Sequence, residues 1–254
     1  MPLENLTKFF QNQNGRTIRY LRASTLGHYW YCAVQAWLQA SGINSPSNEA
    51  MEIGKRVHDE ISKARNPSTW EKEFNDFIAK FQVEKPSNIG EGSTGMDTKE
   101  NMMFQRAWYD GQTIIGHVVT SGVDDFLVSP ERDITFIEYK TSAQKVIDYY
   151  KLAPASFQLR VYMWIFEPFL KIGGYKTSHG EIVYLTRKGE PIGKHDIVDY
   201  NADKVETEIG RILEQFRDPT KLIPCAKWKC YRCSETYKSK CPFQEVKLDA
   251  KKQA

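Results

Sequence analysis

The chain has 254 residues, 41% of them hydrophobic and 13% aromatic, with 35 Lys and Arg against 32 Asp and Glu for a net charge of +3. That length and apolar content are enough to bury a full core in one domain spanning 1–254. No run approaches the roughly 18 apolar residues that cross a bilayer, and the N-terminus lacks the basic-then-apolar order of a signal peptide, so no membrane partner is expected and the expected location is the cytoplasm.

Five cysteines, an odd number, read in a reducing compartment as a metal or redox site before they read as disulfides. Charge is unevenly placed. From Lys221 onward there are nine basic residues against Glu235, Glu245 and Asp249, a balance that suits a polyanion such as nucleic acid. The plainer alternative is a solvated surface ending in a flexible tail over 243–254.

In chain order, a helix is predicted over 24–40, with Ser24 as cap, Tyr31, Val34 and Leu38 at helical spacing, and Cys32 inside it. A turn over 42–47 leads to a second helix over 48–64, with Ile53, Val57 and Ile61 inward and His58 in its middle. Residues from about 66 to 100 read as an insertion. It starts with a short amphipathic helix carrying Trp70, Phe74, Phe77, Ile78 and Phe81, and continues into a Pro-, Ser- and Gly-rich loop over 85–98, together expected to form a flexible cap.

The period then changes to that of strands over 104–109 and 113–119, with Asp110-Gly111 as the hairpin turn. Two more strands follow over 123–128 and 134–140. A helix over 154–166 has Pro154 in its first turn and carries Gln158 and Tyr162 four apart on one face. A strand over 181–186 and a last amphipathic helix capped by Asn201, with Val205, Ile209, Leu213 and Phe216, complete an α/β core sheet flanked by helices.

Chemistry concentrates in the middle of the chain. Glu138 and Lys140 share one side of a strand because side chains alternate with period two. One strand earlier, Asp124 adds a second carboxylate, and two carboxylates on neighbouring strands form a hard-oxygen site suited to Mg²⁺ or Mn²⁺. An adjacent lysine can orient or help deprotonate a metal-bound water. An imidazole at His58 would bias the site toward Mn²⁺. Gln158 and Tyr162, in the next helix, offer an amide and a phenol to a phosphate or a base. Taken singly, each has a plain reading: an edge-strand ion pair, a surface histidine, a helix surface with a core tyrosine.

Together, Gly54-x-x-x-His58, the Asp124 strand, Glu138-x-Lys140 and Gln158-x-x-x-Tyr162 resemble, in order, the motifs of RecB-like nucleases of the PD-(D/E)xK superfamily. The cysteines narrow the resemblance. Cys32 in an aromatic helix, a C-terminal Cys230-x-x-Cys233 and Cys241 before Pro242 are similar to the iron-sulfur members, which include the CRISPR-associated RecB-like exonucleases, the fourth of the Cas proteins. The resemblance runs from about 24 to 242 and implies a restriction-endonuclease-like α/β fold with a helical N-terminal part and a C-terminal cysteine segment over 221–242. It implies a 4Fe-4S cluster on Cys32, Cys230, Cys233 and Cys241, and a catalytic Mn²⁺ or Mg²⁺ on His58, Asp124, Glu138 and the backbone carbonyl of Tyr139. Lys140 becomes the catalytic lysine, and Gln158 and Tyr162 become DNA contacts.

The implied activity is exonucleolytic hydrolysis of single-stranded DNA or overhangs, in CRISPR spacer acquisition beside the integration proteins. A repair or viral nuclease, an inactive iron-sulfur or zinc DNA-binding subunit, and a zinc-stapled scaffold are the rivals. Two choices stay open. Cys225 could replace a cluster ligand or complete a local four-cysteine zinc site, and Asp125, three residues after Gly122, could be the metal aspartate in place of Asp124.

Overall fold

A computed structural model describes residues 19–43, 45–46, 48–84, 102–110, 113–142, 149–197, 199–218, 221–223, 225–226, 229–230, 233–241 and 243. The loop expected over 85–98, Gly111 of the hairpin turn and the tail beyond 243 lie outside them. In order, the elements are β1 (Arg19–Arg22), α1 (Ala23–Tyr29), α2 (Ala33–Ala40), α3 (Glu49–Ala64), α4 (Thr69–Ile78), β2 (Val83–Glu84), β3 (Met102–Asp110), β4 (Thr113–Thr120), β5 (Asp125–Val128), β6 (Asp133–Ser142), α5 (Tyr149–Gly173), β7 (Lys176–Thr186), β8 (Pro191–Ile197), α6 (Ala202–Arg217) and α7 (Glu235–Lys238). The strands form two four-stranded sheets, β1-β4-β3-β2 and β5-β6-β7-β8, with helices around them, the α/β class expected from the sequence.

In the second sheet β6 and β7 run parallel, so the chain must cross over between them, and α5 is that crossover. Ala155, Phe157, Leu159, Val161 and Tyr162 through Phe166 of α5 are all buried. A stretch buried on every side, as Val161 to Phe166 is, belongs in the interior. Around it, Phe166 meets Phe104, Phe126 and Phe136 with ring centroids 4.5 to 5.8 Å apart, joining both sheets to one core. Close approach demands small residues at two crossings. A Cβ on Gly27 would lie 2.8 Å from the Pro154 carbonyl oxygen and 2.9 Å from the Gln158 Cβ, and one on Gly180 would lie 2.8 Å from a Leu159 methyl.

Helix α5 begins five residues before Pro154, so this proline is internal and does not open the helix as expected, and Pro168 is internal too. A helical proline leaves the carbonyl four residues earlier without its intrahelical donor. At Pro168 that carbonyl belongs to Trp164, and the Arg106 guanidinium on β3 donates to it. Arg106 also stacks 4.1 Å over the Trp164 ring and pairs with Glu167 at 3.2 Å. A long-range cation thus satisfies the group that would otherwise end the helix.

Three other expectations change. The helix predicted over 24–40 is two helices, α1 and α2, broken at Trp30-Tyr31-Cys32. Cys32 is the extended N-cap of α2, with φ −158° and ψ 109°, and Arg22, not Ser24, precedes the first turn of α1. The strand expected over 123–128 starts at Asp125 and leaves Asp124 in the bend before it. Lastly, α4 is no loose cap. Phe74 is fully buried between Phe126 at 5.1 Å and Tyr175 at 5.0 Å, and Phe77 meets Phe81 and Tyr175, so the aromatic face of the expected cap is core; Trp70 is 43% exposed. The cap Asn201 occurs as predicted, and Asn48, expected as the first helical residue, is a cap too; their side chains accept from the backbone N–H groups of Lys204 and Met51. Among the described residues no helix is long and apolar enough to cross a membrane.

Candidate active site

Strand β6 carries Phe136 into the core and Glu138 two residues further along the same face, where the apolar interior gives way to polar side chains. Glu138 is 3% exposed. Its Oε1 accepts from the Lys140 ammonium and, at 3.0 Å, from Gln158 Nε2 of α5; Gln158 Nε2 also donates to the Tyr162 hydroxyl. The spacing of four in α5 therefore sets amide and phenol behind the carboxylate. Burial pushes the Glu138 carboxyl up to about 7, aided by the Asp124 charge and opposed by Lys140. Burial works against the Lys140 ammonium, yet the Glu138 and Asp124 charges outweigh it and hold its pKa above the usual lysine value. Burial, followed by the Glu138 and Asp124 charges, places the Tyr162 phenol well above its ordinary range, so it stays neutral. Gln158 and Tyr162, expected as DNA contacts, face Glu138 here.

Helix α3 brings the imidazole. Its N-terminus is fixed by the Asn48 cap with Glu49 and Glu52 in the first turn, where carboxylates suit the positive end of the helix dipole. Gly54 lies against β6, since a Cβ there would sit 3.2 Å from the Thr141 hydroxyl. One turn later, on the same side, His58 reaches Tyr139, ring centroids 5.9 Å apart, and places Nδ1 3.5 Å from Asp124 Oδ1. Burial pulls the His58 pKa down, but the hydrogen bond and charge of Asp124 raise it above its ordinary value. Asp124 Oδ2 in turn accepts from the Tyr139 backbone N–H at 2.7 Å.

Asp125 is spoken for. Its carboxylate pairs with Arg65, accepts from the Tyr139 hydroxyl at 3.3 Å and bonds the Phe126 N–H at 2.8 Å. Arg65 also pairs with the buried Glu71 of α4 and donates to the Phe126 carbonyl at 2.7 Å. Of the two adjacent aspartates, Asp124 is thus the one turned toward His58.

A buried carboxylate, a second carboxylate on a backbone N–H and an imidazole make a donor set of the kind Mn²⁺ and Mg²⁺ take, and burial penalises the Glu138 charge that a cation would compensate. Ligand atoms all within 4.8 Å of one another nevertheless occur at His179, Glu181 and Asp196, not at His58, Asp124 and Glu138. At that surface set Lys194 already pairs with Glu181 at 2.9 Å and Asp196 at 3.5 Å, placing an ammonium where a cation would go.

The break before α2 aims Cys32 at the C-terminal segment. Its thiol is hydrogen-bonded to Cys225, and Cys225 Sγ lies 3.4 Å from Cys230 Sγ. Cys233 feels the charges of Cys32, Cys230 and Cys241, though burial is the larger cause that pushes it up to about 11. Five thiols therefore gather, including Cys225, which the sequence left as a spare. The Cys32 thiol is drawn down to about 6 by the Cys225 hydrogen bond, against burial and with help from N–H groups at the start of α2. Lys229 fastens the segment by donating to the Tyr31 carbonyl at 3.0 Å and lying 4.6 Å over its ring. Of the basic run, Lys221 and Lys238 are engaged with Asp218 and Glu235.

Two solved structures follow a similar chain course. SSO0001 is 17% identical with a TM-score of 0.49, covering 95% of this chain and 96% of that one. A protein assigned as an exonuclease from Eubacterium rectale is 14% identical with a TM-score of 0.46, covering 84% and 87%. No family model matches, and no curated sequence relative does.

Sequence reasoning missed Arg65, Thr120 and Gln39. Thr120, at the end of β4, hydrogen-bonds the Tyr162 phenol, and Gln39 bonds His28 at 2.8 Å, a residue that also feels the Lys140 charge. None of the three stands in a local motif; each acts on a residue distant in sequence.

Proposed function

We propose that the chain is a metal-dependent deoxyribonuclease that hydrolyses phosphodiesters from the free end of single-stranded DNA or of an overhang. One observation carries the reading: Glu138, nearly without solvent, shares an oxygen between Lys140 and Gln158 beside Asp124 and His58. A structural ion pair on an exposed strand edge would be screened by water; this one lies where electrostatics are strong and pKa values shift, as catalytic groups require.

Mn²⁺ or Mg²⁺ held by His58, Asp124, Glu138 and the Tyr139 carbonyl would polarise the phosphodiester and acidify a bound water. The chain's own residues prepare that site. Asp124 is aimed by the Tyr139 N–H, and Arg65 keeps Asp125 turned away. Gln158, steadied by the neutral Tyr162 phenol, donates with Lys140 to Glu138 Oε1 and so orients the carboxyl, whose pKa burial raises. Lys140, cationic at neutral pH, sits where it can hold the attacked phosphate or the water.

The gathered thiols support the further reading of a 4Fe-4S cluster on Cys32, Cys230, Cys233 and Cys241, which fastens the C-terminal segment to α2. The nearness of Cys225 to Cys32 and Cys230 favours one alternative, a zinc ion on a set that includes Cys225. Spacer acquisition beside CRISPR integration proteins is supported by the motif resemblance.

Lys140→Ala tests the central claim. Cleavage of end-labelled single strands should vanish while DNA binding and thiol-bound metal persist, and undiminished cleavage would refute the site. A circular single strand should resist the enzyme that shortens its linear form; equal rates would make it an endonuclease.

A further inference from the structure

We propose that Tyr139 and Arg65 are positioning residues for the candidate metal site: the Tyr139 phenol, held by the Arg65–Asp125 pair, sets the His58 ring against Asp124. The inference rests on the metal-nuclease reading of His58, Asp124 and Glu138, and names the side chains that keep two of those groups together.

Both groups meet at Tyr139. The last pairing of β5 with β6 is Asp125 with Ile137, so the Tyr139 N–H lies past the end of that ladder and has no strand acceptor there. Asp124 Oδ2 takes it at 2.7 Å. Side chains alternate along β6, so the Tyr139 ring points away from the face that carries Glu138. It meets the His58 ring of α3 edge to face, with centroids 5.9 Å apart and planes at 61°. His58 Nδ1 in turn lies 3.5 Å from Asp124 Oδ1. Backbone and ring of one residue therefore hold a carboxylate and an imidazole relative to each other.

An edge-to-face contact alone would let the two rings slide, and the phenol removes that freedom. Its hydroxyl donates to Asp125 Oδ2 at 3.3 Å, and the Asp125 carboxylate pairs with Arg65. Arg65 is the residue that ends α3, about two turns past His58. It also donates to the Phe126 carbonyl at 2.7 Å and pairs with the buried Glu71. A guanidinium presents its donors in a rigid fork, so it can hold three acceptors at once. The helix that brings His58 is thus pinned to β5 at its end, through Asp125 and Phe126, as well as at the imidazole itself. Two points of attachment fix the helix against rotation where one would not, and the phenol joins them.

The test uses full-length protein and reads Mn²⁺ binding directly, as loss of the free-ion EPR signal, besides cleavage; Mn²⁺ is a hard cation that thiolates do not favour. Asp124→Ala identifies the site by abolishing tight binding. Tyr139→Phe keeps ring and backbone and removes one hydroxyl, and should weaken Mn²⁺ binding about tenfold; Tyr139→Leu, which removes the ring too, should approach about a hundredfold. Arg65→Lys keeps the charge but loses the fork, and should match Tyr139→Phe. Because both act through Asp125, the double variant should bind no more weakly than the weaker single variant. On linear single-stranded DNA, Arg65→Lys should be slow at limiting Mn²⁺ and regain the wild-type kcat when Mn²⁺ saturates, with KM for DNA unchanged. Wild-type Mn²⁺ affinity in either Tyr139→Phe or Arg65→Lys, or additive losses in the double variant, would overturn the network. Failure of the nuclease reading is separate: it shows as full cleavage by Lys140→Ala, and the Mn²⁺ titrations still judge the network.

Discussion

Truncating Phe74 to Ala measures how firmly α4 belongs to the core beside the site. The ring is fully buried and meets Phe126 and Tyr175 edge to face, at 5.1 and 5.0 Å. Deleting a buried Phe costs about 3–5 kcal/mol, and the spread reflects how far the surroundings collapse into the cavity. Collapse is restricted here, because Phe126 is itself braced by Phe136 at 5.2 Å and Phe166 at 5.4 Å. Each edge-to-face contact adds about 0.5–1.5 kcal/mol beyond area, part of it already counted in the truncation, so a loss of about 4–5 kcal/mol is expected. That is a large share of the ~5–15 kcal/mol that holds a domain folded. Urea unfolding should therefore show a much lower midpoint at unchanged slope, while Trp70→Ala, at a 43% exposed position of the same helix, should lose about 0.5 kcal/mol. If Phe74→Ala loses less than about 1 kcal/mol, or no more than Trp70→Ala, then α4 is a detachable cap.

Arg65→Met should cost about 3 kcal/mol, because Glu71 and Asp125 lose their shared cation, and adding Asp125→Asn and Glu71→Gln should restore most of it; equal stability of the single and triple variants would refute the shared-cation account. The Glu138 carboxyl sits near 7 in the fold against 4.5 ordinarily, so the folded state holds that proton more tightly. Its contribution is full below pH 4.5 and fades by about 3 kcal/mol as pH rises through 7, so the stability of wild type relative to Glu138→Gln should fall over that window, and a flat difference would contradict the burial argument. Cys32→Ala should lose the brown colour and about four irons per chain of anaerobically purified protein while Cys225→Ala keeps them; a colourless wild type with stoichiometric zinc would end the cluster reading.

What local rules govern was legible in the sequence, and what long-range contacts govern was not. Period two placed Glu138 and Lys140 on one side, and the helical repeat placed Gln158 with Tyr162; both pairings hold. Strand β8 escaped because Pro191-Ile192-Gly193-Lys194 lacks alternation, and its edge position is fixed by pairing with β7. The reach of α5 was hidden because prolines read as boundaries, and the donor that rescues Pro168 comes from Arg106, far away in sequence. The break at Cys32 was masked by an apolar repeat that runs through Tyr31, Val34 and Leu38, although the chain there turns to present a thiol to a segment nearly two hundred residues distant.

The pair Asp124-Asp125 illustrates how neighbouring identical residues acquire different chemistry. Successive side chains point to opposite faces where β5 begins, so one carboxylate must turn toward α4 and the other toward α3. On the α4 side waits Arg65, already committed to Glu71 and the Phe126 carbonyl, and its fork geometry can hold Asp125 as well. On the α3 side Asp124 meets an imidazole and a single N–H, and its charge adds to burial in raising Glu138 and Tyr162 and, against burial, joins Glu138 in raising Lys140. A cation entering this region would be drawn to Asp124, because Asp125 has spent its charge on Arg65. The selection between the two aspartates is therefore made by Arg65 at the C-terminal end of α3, which Glu71 of α4 holds in place, so any change that loosens α4 should blur the distinction on which the site depends.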